Sequence, residues 1–240
     1  MAWFFSDIEP KNLFTLTGEQ ARHAALSLRM KPGEELTICC NSYVYLCKIE
    51  SIDKTSVTVK VLDKQKCENE PNTAVTLFQA IPKGDKTDYI IQKAVELGAV
   101  KIVPFISSRC VSRPDEKAIV KKTERWQKIA LQAAQQSRRG IIPTVEKAIG
   151  FNEAVKRSEQ LESRIVFYEC GGKHPGDLIS RQTKELGIFI GSEGGFAPEE
   201  IETLKNSGAA VATLGKRILR AETAPLAALS VIMYITGNLG

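Results

Sequence analysis

The feature that most limits the fold is an alternation that begins near residue 75. "VTLFQAI" reads as a strand, "KTDYIIQKAVELG" as a helix closed by glycine, and "AVKIVPFI" as a second strand. A strand–helix–strand unit of this kind implies parallel strands joined by a right-handed crossover. The pattern then continues. A long helix is predicted over roughly 116–137, with Ile119, Trp126, Ile129, Ala130 and Ala133 on one side. After it come strand "RIVFYE", helix "PGDLISRQTKE", strand "GIFIG", helix "PEEIETLKNSG", strand "AAVATLG" and a last helix from about Thr223 to Thr236. Such alternation predicts an α/β domain with helices on both faces of its sheet.

The first seventy residues have a different texture. "ELTICC", "YVYLCKIE" and "TSVTVKVLD" are short β-branched or alternating runs separated by turn residues, a spacing that suits a small barrel. "GEQARHAALSLR" reads as a short helix ahead of them. The polar stretch Asp63 to Ala74, which holds Pro71, is the expected linker. The reading is therefore two domains, 1–72 and 73–240.

Composition excludes several classes. No 18-residue apolar run offers a membrane span, and the start "MAWFFSDIEP" lacks the basic leader of an export signal. A cytoplasmic protein is expected. Six cysteines form no CxxC pair and only His23 and His174 accompany them, so no metal site is expected. Adjacent Cys39 and Cys40 should face opposite sides of a strand, in packing roles. The net charge of +5 is unevenly spread. Arg109 to Arg139 holds nine basic and three acidic residues, either a solvated helix face or a surface for a phosphate backbone.

Two strand ends carry unusual turns, and ligands of open α/β sheets gather at the carboxyl ends of strands. The first is "GSEGGFAPEE", Gly191 to Glu200. Its glycines permit close backbone approach, and Pro198 followed by two glutamates suits a helix start. That acidic start disfavours phosphate. Neither GxGxxG nor GxxxxGK[ST] occurs, and "KGDKT", Lys83 to Thr87, is too short for a phosphate loop. The second turn is "LGKRILRAETAPL", which sets Arg220 and Glu222 among apolar residues. A surface salt bridge would explain either residue alone. Beside the glycine turn, the pair reads as the second wall of one pocket.

At these turns the chain resembles the SPOUT class of trefoil-knotted RNA methyltransferases, and within it the 16S ribosomal RNA (uracil-N3)-methyltransferase family. The motifs that carry the resemblance are "HAALSLRMKPGEEL", "KGDKTDYIIQKAVELGAVKIVPF", "RWQKIALQAAQQSRRGIIP", "IGSEGGFAPEEI" and "LGKRILRAETAPLAAL". It implies a PUA-like β-barrel in front of a knotted α/β domain with a parallel sheet. It also implies a homodimer with its pocket at the subunit interface, S-adenosylmethionine as methyl donor, and 16S ribosomal RNA of the small subunit as partner, with neither membrane nor metal. The cofactor loops map onto Gly191, Ser192, Glu193, Gly194 and Gly195, and onto Leu214, Ile218, Leu219, Arg220, Ala221, Glu222, Thr223 and Ala224. Glu169 falls where a third loop begins. Departures from the family pattern are Ser192 for a proline, Gln135 for a glutamate, Arg138 for a glycine, and Ala197 where a capping Ser or Thr is common.

A uracil N3 must lose its proton on methylation, and negative charge spreads onto its carbonyls. A base and a cation are therefore expected. Arg220 is the expected catalytic cation, and Glu222 and Glu193 are candidates for the base or for bracing that arginine. Contacts to RNA are expected from Arg29 and Lys31 in the first domain and from Arg109, Arg113, Arg138 and Arg139 in the second. Lys93 and Glu96 read as a helical i,i+3 pair, and His23 as a packing residue. Competing readings are a ribose 2′-O methyltransferase of the same class and a non-catalytic RNA-binding protein.

Overall fold

The computed structural model describes residues 1–53 and 55–239. The chain divides by packing into two units: Met1–Glu70 with Ala134–Ile141, and Pro71–Ala133 with Ile142–Gly240.

The first unit is a curled five-stranded sheet. Its elements are β1 (Ala2–Phe5), β2 (Leu13–Thr17), α1 (Gly18–Arg22), β3 (Glu35–Cys40), β4 (Tyr43–Ile52) and β5 (Ser56–Lys66). The strand order is β1-β3-β4-β5-β2, with β1 parallel to β3 and the other pairs antiparallel. The edge strands β1 and β2 do not pair with one another, so the sheet is a half-barrel. Register shifts at Leu46/Cys47 and Ile49/Ser51 mark where β4 bends. Alternate residues Leu36, Ile38 and Cys40 of β3 join Phe4, Leu16, Cys47, Ile49, Val57 and Val59 in the core. Cys39 faces the other way, and its Sγ donates to the Gly140 carbonyl at 3.3 Å. Burial pushes the Cys39 thiol up to about 12 and the Cys47 thiol to about 11, which leaves both protonated and inert at neutral pH.

Three details depart from the sequence reading. The strand β5 runs to Lys66, well into the expected linker. The helix after β2 loosens at His23–Ser27 into π-helical bonding and leads to Arg29 at φ 53. His23 lies at the surface, with only an edge contact to Phe4 at 6.2 Å.

The second unit holds β6 (Ala74–Ala80), α2 (Lys86–Glu96), β7 (Lys101–Ile106), α3 (Glu116–Gln136), β8 (Thr144–Val145), β9 (Ile149–Gly150), α4 (Phe151–Ser158), β10 (Ser163–Phe167), β11 (Glu185–Ile190), α5 (Pro198–Asn206), β12 (Ala210–Ala212) and α6 (Thr223–Ile235). The last residues of α3 belong to the first unit. All strand pairs are parallel, in the order β12-β10-β11-β6-β7-β8, with β9 also on β7. Such a sheet is covered on both faces, and its central strands β6, β7, β10 and β11 are accordingly mostly buried and apolar. Phe78 stacks on Phe189 at 4.5 Å, and Phe105 and Phe196 extend the aromatic layer under α5. In α2, Ile90, Ile91, Ala94 and Val95 make the buried stripe, and Gly98 at φ 93 ends the helix. Lys93 and Glu96 form the expected pair at 2.8 Å.

The helix expected over "PGDLISRQTKE" does not form. Only Pro175–Asp177 makes a 3₁₀ turn. Thr183 Oγ1 instead accepts the Ser180 backbone N–H, and Ser180 Oγ accepts that of Gln182. Such local side-chain bonds compete with helical ones. Among the described residues no helix is long and apolar enough to cross a membrane, and no group of three or more His, Cys, Asp or Glu could hold a metal ion.

Candidate active site

A cavity of about 220 Å³ opens at the carboxyl ends of β10, β11 and β12. Each strand delivers one part of its wall. From β10 come Phe167, Tyr168 and Glu169; from β11 Ile190 and the turn Gly191–Gly195; after β12 Thr213, Leu214 and Gly215. Arg217, Ile218, Leu219, Ala221 and Ala224 complete it.

The glycine turn is tight. The Gly195 N–H donates to the Ser192 carbonyl at 3.0 Å, and Gly195 sits at φ 63. A Cβ at Gly191 would lie 3.0 Å from the Gly195 Cα, and one at Gly195 would overlap the Glu169 carboxylate. The turn therefore needs glycine at both positions. Arg109 Nη1 holds it from outside by donating to the Gly194 carbonyl at 3.0 Å. Beneath it Gln79, 1% exposed, donates Nε2 to the carbonyls of Ala80 and Gly191.

Ala197 offers no side-chain cap to α5, and Glu200 compensates. Its Oε2 accepts the Ala197 N–H at 2.9 Å and its Oε1 accepts the Ser108 N–H at 2.8 Å. One buried carboxylate thus completes half a capping box and anchors the loop that carries Arg109.

The two candidate carboxylates share a cation. Lys86 Nζ lies 2.9 Å from Glu193 Oε1 and 3.1 Å from Glu222 Oε2. The Lys83 backbone N–H also donates to both Glu193 oxygens. Burial alone would raise the Glu193 carboxyl, but Lys86 and the backbone donors outweigh it and hold it below the ordinary 4.5. The Glu222 carboxyl is likewise lowered, first by its own backbone N–H and then by Lys86. The Lys86 ammonium is held above its ordinary value by Glu193 and Glu222. Both carboxylates are ionised at neutral pH. The Arg220 guanidinium is exposed and helps to lower Glu222.

The structure brings together most of the residues expected at the pocket. Glu169, Gly191 to Gly195, Leu214, Ile218, Leu219, Ala221 and Ala224 line the cavity. Arg220, Glu222 and Thr223 are not part of the lining and lie at the entry to α6, where the carbonyl of Arg220 accepts the N–H groups of Thr223 and Ala224. Sequence reasoning missed Tyr168 and Arg217 in the wall and, above all, Lys86. Lys86 lies in "KGDKT", the segment too short for a phosphate loop. The overlooked signal is a lysine at the first position of a helix, against the helix dipole. Gln79 also left a trace, as the one amide in an apolar strand.

The basic residues fall into two groups. Arg29, Lys31, Arg109, Arg113 and Arg138 are exposed, although the Arg113 guanidinium also donates to the carbonyls of Ser107, Ser108 and Cys110. Arg139 corrects the expectation of a surface contact. It is 3% exposed, and its guanidinium pairs with Glu70, whose Oε1 also accepts the N–H groups of Gly140 and Ile141.

Comparison with known proteins agrees with this geometry. Residues 68–233 match the RNA methyltransferase domain, and residues 16–62 match the RNA methyltransferase PUA domain. The chain belongs to the RNA methyltransferase family. It is 37% identical to the ribosomal RNA small subunit methyltransferase E of Bacillus subtilis, over 95% of this chain and 93% of that protein. It is 31% identical to the Aquifex aeolicus protein of the same name, over 96% and 98%. Among solved structures, the Neisseria gonorrhoeae methyltransferase E bound to S-adenosyl methionine superposes with a TM-score of 0.88 at 31% identity, covering 98% of this chain and 97% of that one.

Proposed function

We propose that this protein transfers a methyl group from S-adenosylmethionine to N3 of a uridine in 16S ribosomal RNA of the small subunit. The observation that carries the reading is the cavity at the ends of β10, β11 and β12, walled by a glycine turn and an apolar turn, with the Glu193 carboxylate in its lining and that of Glu222 tied to it through Lys86. A glycine cradle that a Cβ would fill and apolar Leu214, Ile218 and Leu219 suit an adenine ring. Carboxylates suit a cationic ligand, as phosphate does not. When bound, the cofactor supplies an electrophilic methyl on a sulfonium.

The chain's own residues orient and deprotonate the acceptor. In this reading Arg220 holds the uracil carbonyls and stabilises the negative charge that spreads onto them. The N3 proton passes to a carboxylate, with Glu222 and Glu193 as candidates. The N3–methyl bond forms as the methyl–sulfur bond breaks, its electron pair stays on sulfur, and S-adenosylhomocysteine leaves. Arg29, Lys31, Arg109, Arg113 and Arg138 are the proposed phosphate contacts. A homodimer acting in the cytoplasm is part of the same proposal.

The test is to incubate the protein with labelled S-adenosylmethionine and small subunits or naked 16S RNA lacking the modification, then identify the methylated nucleoside. N3-methyluridine is expected; a ribose product, or none on either substrate, overturns the reading. Arg220→Ala should cost about 10²-fold or more in transfer while calorimetry shows cofactor affinity nearly unchanged.

A further inference from the structure

Lys86 stands where a helix gains nothing from it. It opens α2, at the positive end of the helix dipole, where a cation is disfavoured. The acids of its own helix end do not account for it. Asp88 is committed to Arg125 and to the Trp126 indole N–H, and Asp85, which caps nothing with its side chain, lies 4.0 Å from Arg125. The partners of Lys86 come from elsewhere in the chain. Glu193 belongs to the turn after β11 and Glu222 to the turn before α6, and these turns form two walls of the cavity. The three side chains are 37%, 32% and 22% exposed, so water does not fully screen them.

The two contacts differ. Glu193 is held from several directions, by Lys86 and by the Lys83 N–H. Glu222 Oε2 is buried and meets Lys86 without an aligned hydrogen bond. Without the cation between them, two carboxylates would face each other across the gap, and the turns that carry them would lose their common tie.

We propose that Lys86 is a positioning residue of the transfer site, a single ammonium that clasps Glu193 of one turn to Glu222 of the other and sets the geometry of the carboxylates. This rests on the methyltransferase reading above. Through the clasp, Lys86 holds both carboxyls below their ordinary range and the cavity walls in register, and it touches neither the cofactor nor the uracil ring. The other charges near the clasp are Lys83, Asp85 and Asp88 on its own segment, Arg125 on α3 and Arg220 beside Glu222. Among the described residues, Lys86 alone forms an ion pair with either carboxylate.

The experiment compares the full-length protein with Lys86→Met and Lys86→Arg, with Lys86→Gln replacing the methionine variant if thermal melting shows that it does not fold. Three quantities are read: kcat and KM against pH, cofactor affinity by calorimetry, and the titration of the Glu193 and Glu222 carboxyls by carbon NMR without cofactor. A carboxylate base works when ionised, so activity rises as pH climbs through its pKa. Removing the cation raises that pKa and moves the acid limb to higher pH, by about 1 unit or more. In Lys86→Met, kcat should fall about 10- to 100-fold, the cost of a reacting group set out of line, and both carboxyls should titrate higher. Lys86→Arg should restore most of the rate. Unchanged carboxyl titration and an unmoved acid limb in Lys86→Met overturn the proposal, as does an arginine variant no better than the methionine one. If the unmodified protein transfers no methyl group, the methyltransferase reading fails instead, and the carboxyl titration alone decides the clasp.

Discussion

Single residues carry much of the strain and the specificity. Arg138 sits at φ 57, in the left-handed region, where the family pattern has glycine. For an L-residue that conformation costs about 1–2 kcal/mol, partly offset by the larger entropy a glycine loses on folding. Arg138→Gly should therefore raise stability by up to about 1 kcal/mol in denaturant titration. It should also lower the salt dependence of RNA binding by about one phosphate contact. Gly195 is the opposite case. At φ 63 it holds a backbone conformation that an L side chain rarely adopts, and a Cβ there would also displace the Glu169 carboxylate. Gly195→Ala should weaken cofactor binding about tenfold by calorimetry, because an alanine pays about 1–2 kcal/mol to keep the left-handed backbone of the turn.

Elements are held in place by a few bonds that cross between them. Glu200 lies in the first turn of α5, yet half its work is on the loop after β7, through the Ser108 N–H. Glu200→Ala leaves two donors without their acceptor in a partly buried setting, which should cost about 1–3 kcal/mol in thermal or chemical unfolding. It should also loosen Arg109 from the Gly194 carbonyl, seen as faster amide exchange in the glycine turn. Glu200→Gln, which keeps one acceptor oxygen, should be milder. The segment after β10 shows the converse. "PGDLISRQTKE" has helical composition, but Ser180 and Thr183 close their own small turns and the helix is lost.

At the scale of the molecule, a linear division does not capture the packing. Ala134–Ile141 lies in the middle of the chain but belongs with Met1–Glu70, and it brings the Arg139–Glu70 pair and the Gly140 carbonyl that receives Cys39. A fragment ending at residue 72 would leave Glu70 without its guanidinium and the first unit without the segment that packs on it. Such a fragment should unfold at a lower denaturant midpoint than one with the 134–141 segment supplied as a fused linker, measured by circular dichroism. The sequence by itself determined the strand–helix alternation, the β-rich start and the two turns, because apolar periodicity and glycine chemistry are local properties. The family resemblance those turns carry named most of the residues that line the cavity. Tertiary structure alone decided that Arg139 is buried, that Glu200 reaches Ser108 and that Lys86 joins Glu193 to Glu222. These are meetings of charges tens of residues apart, and a charged side chain carries no local mark of the partner it will find.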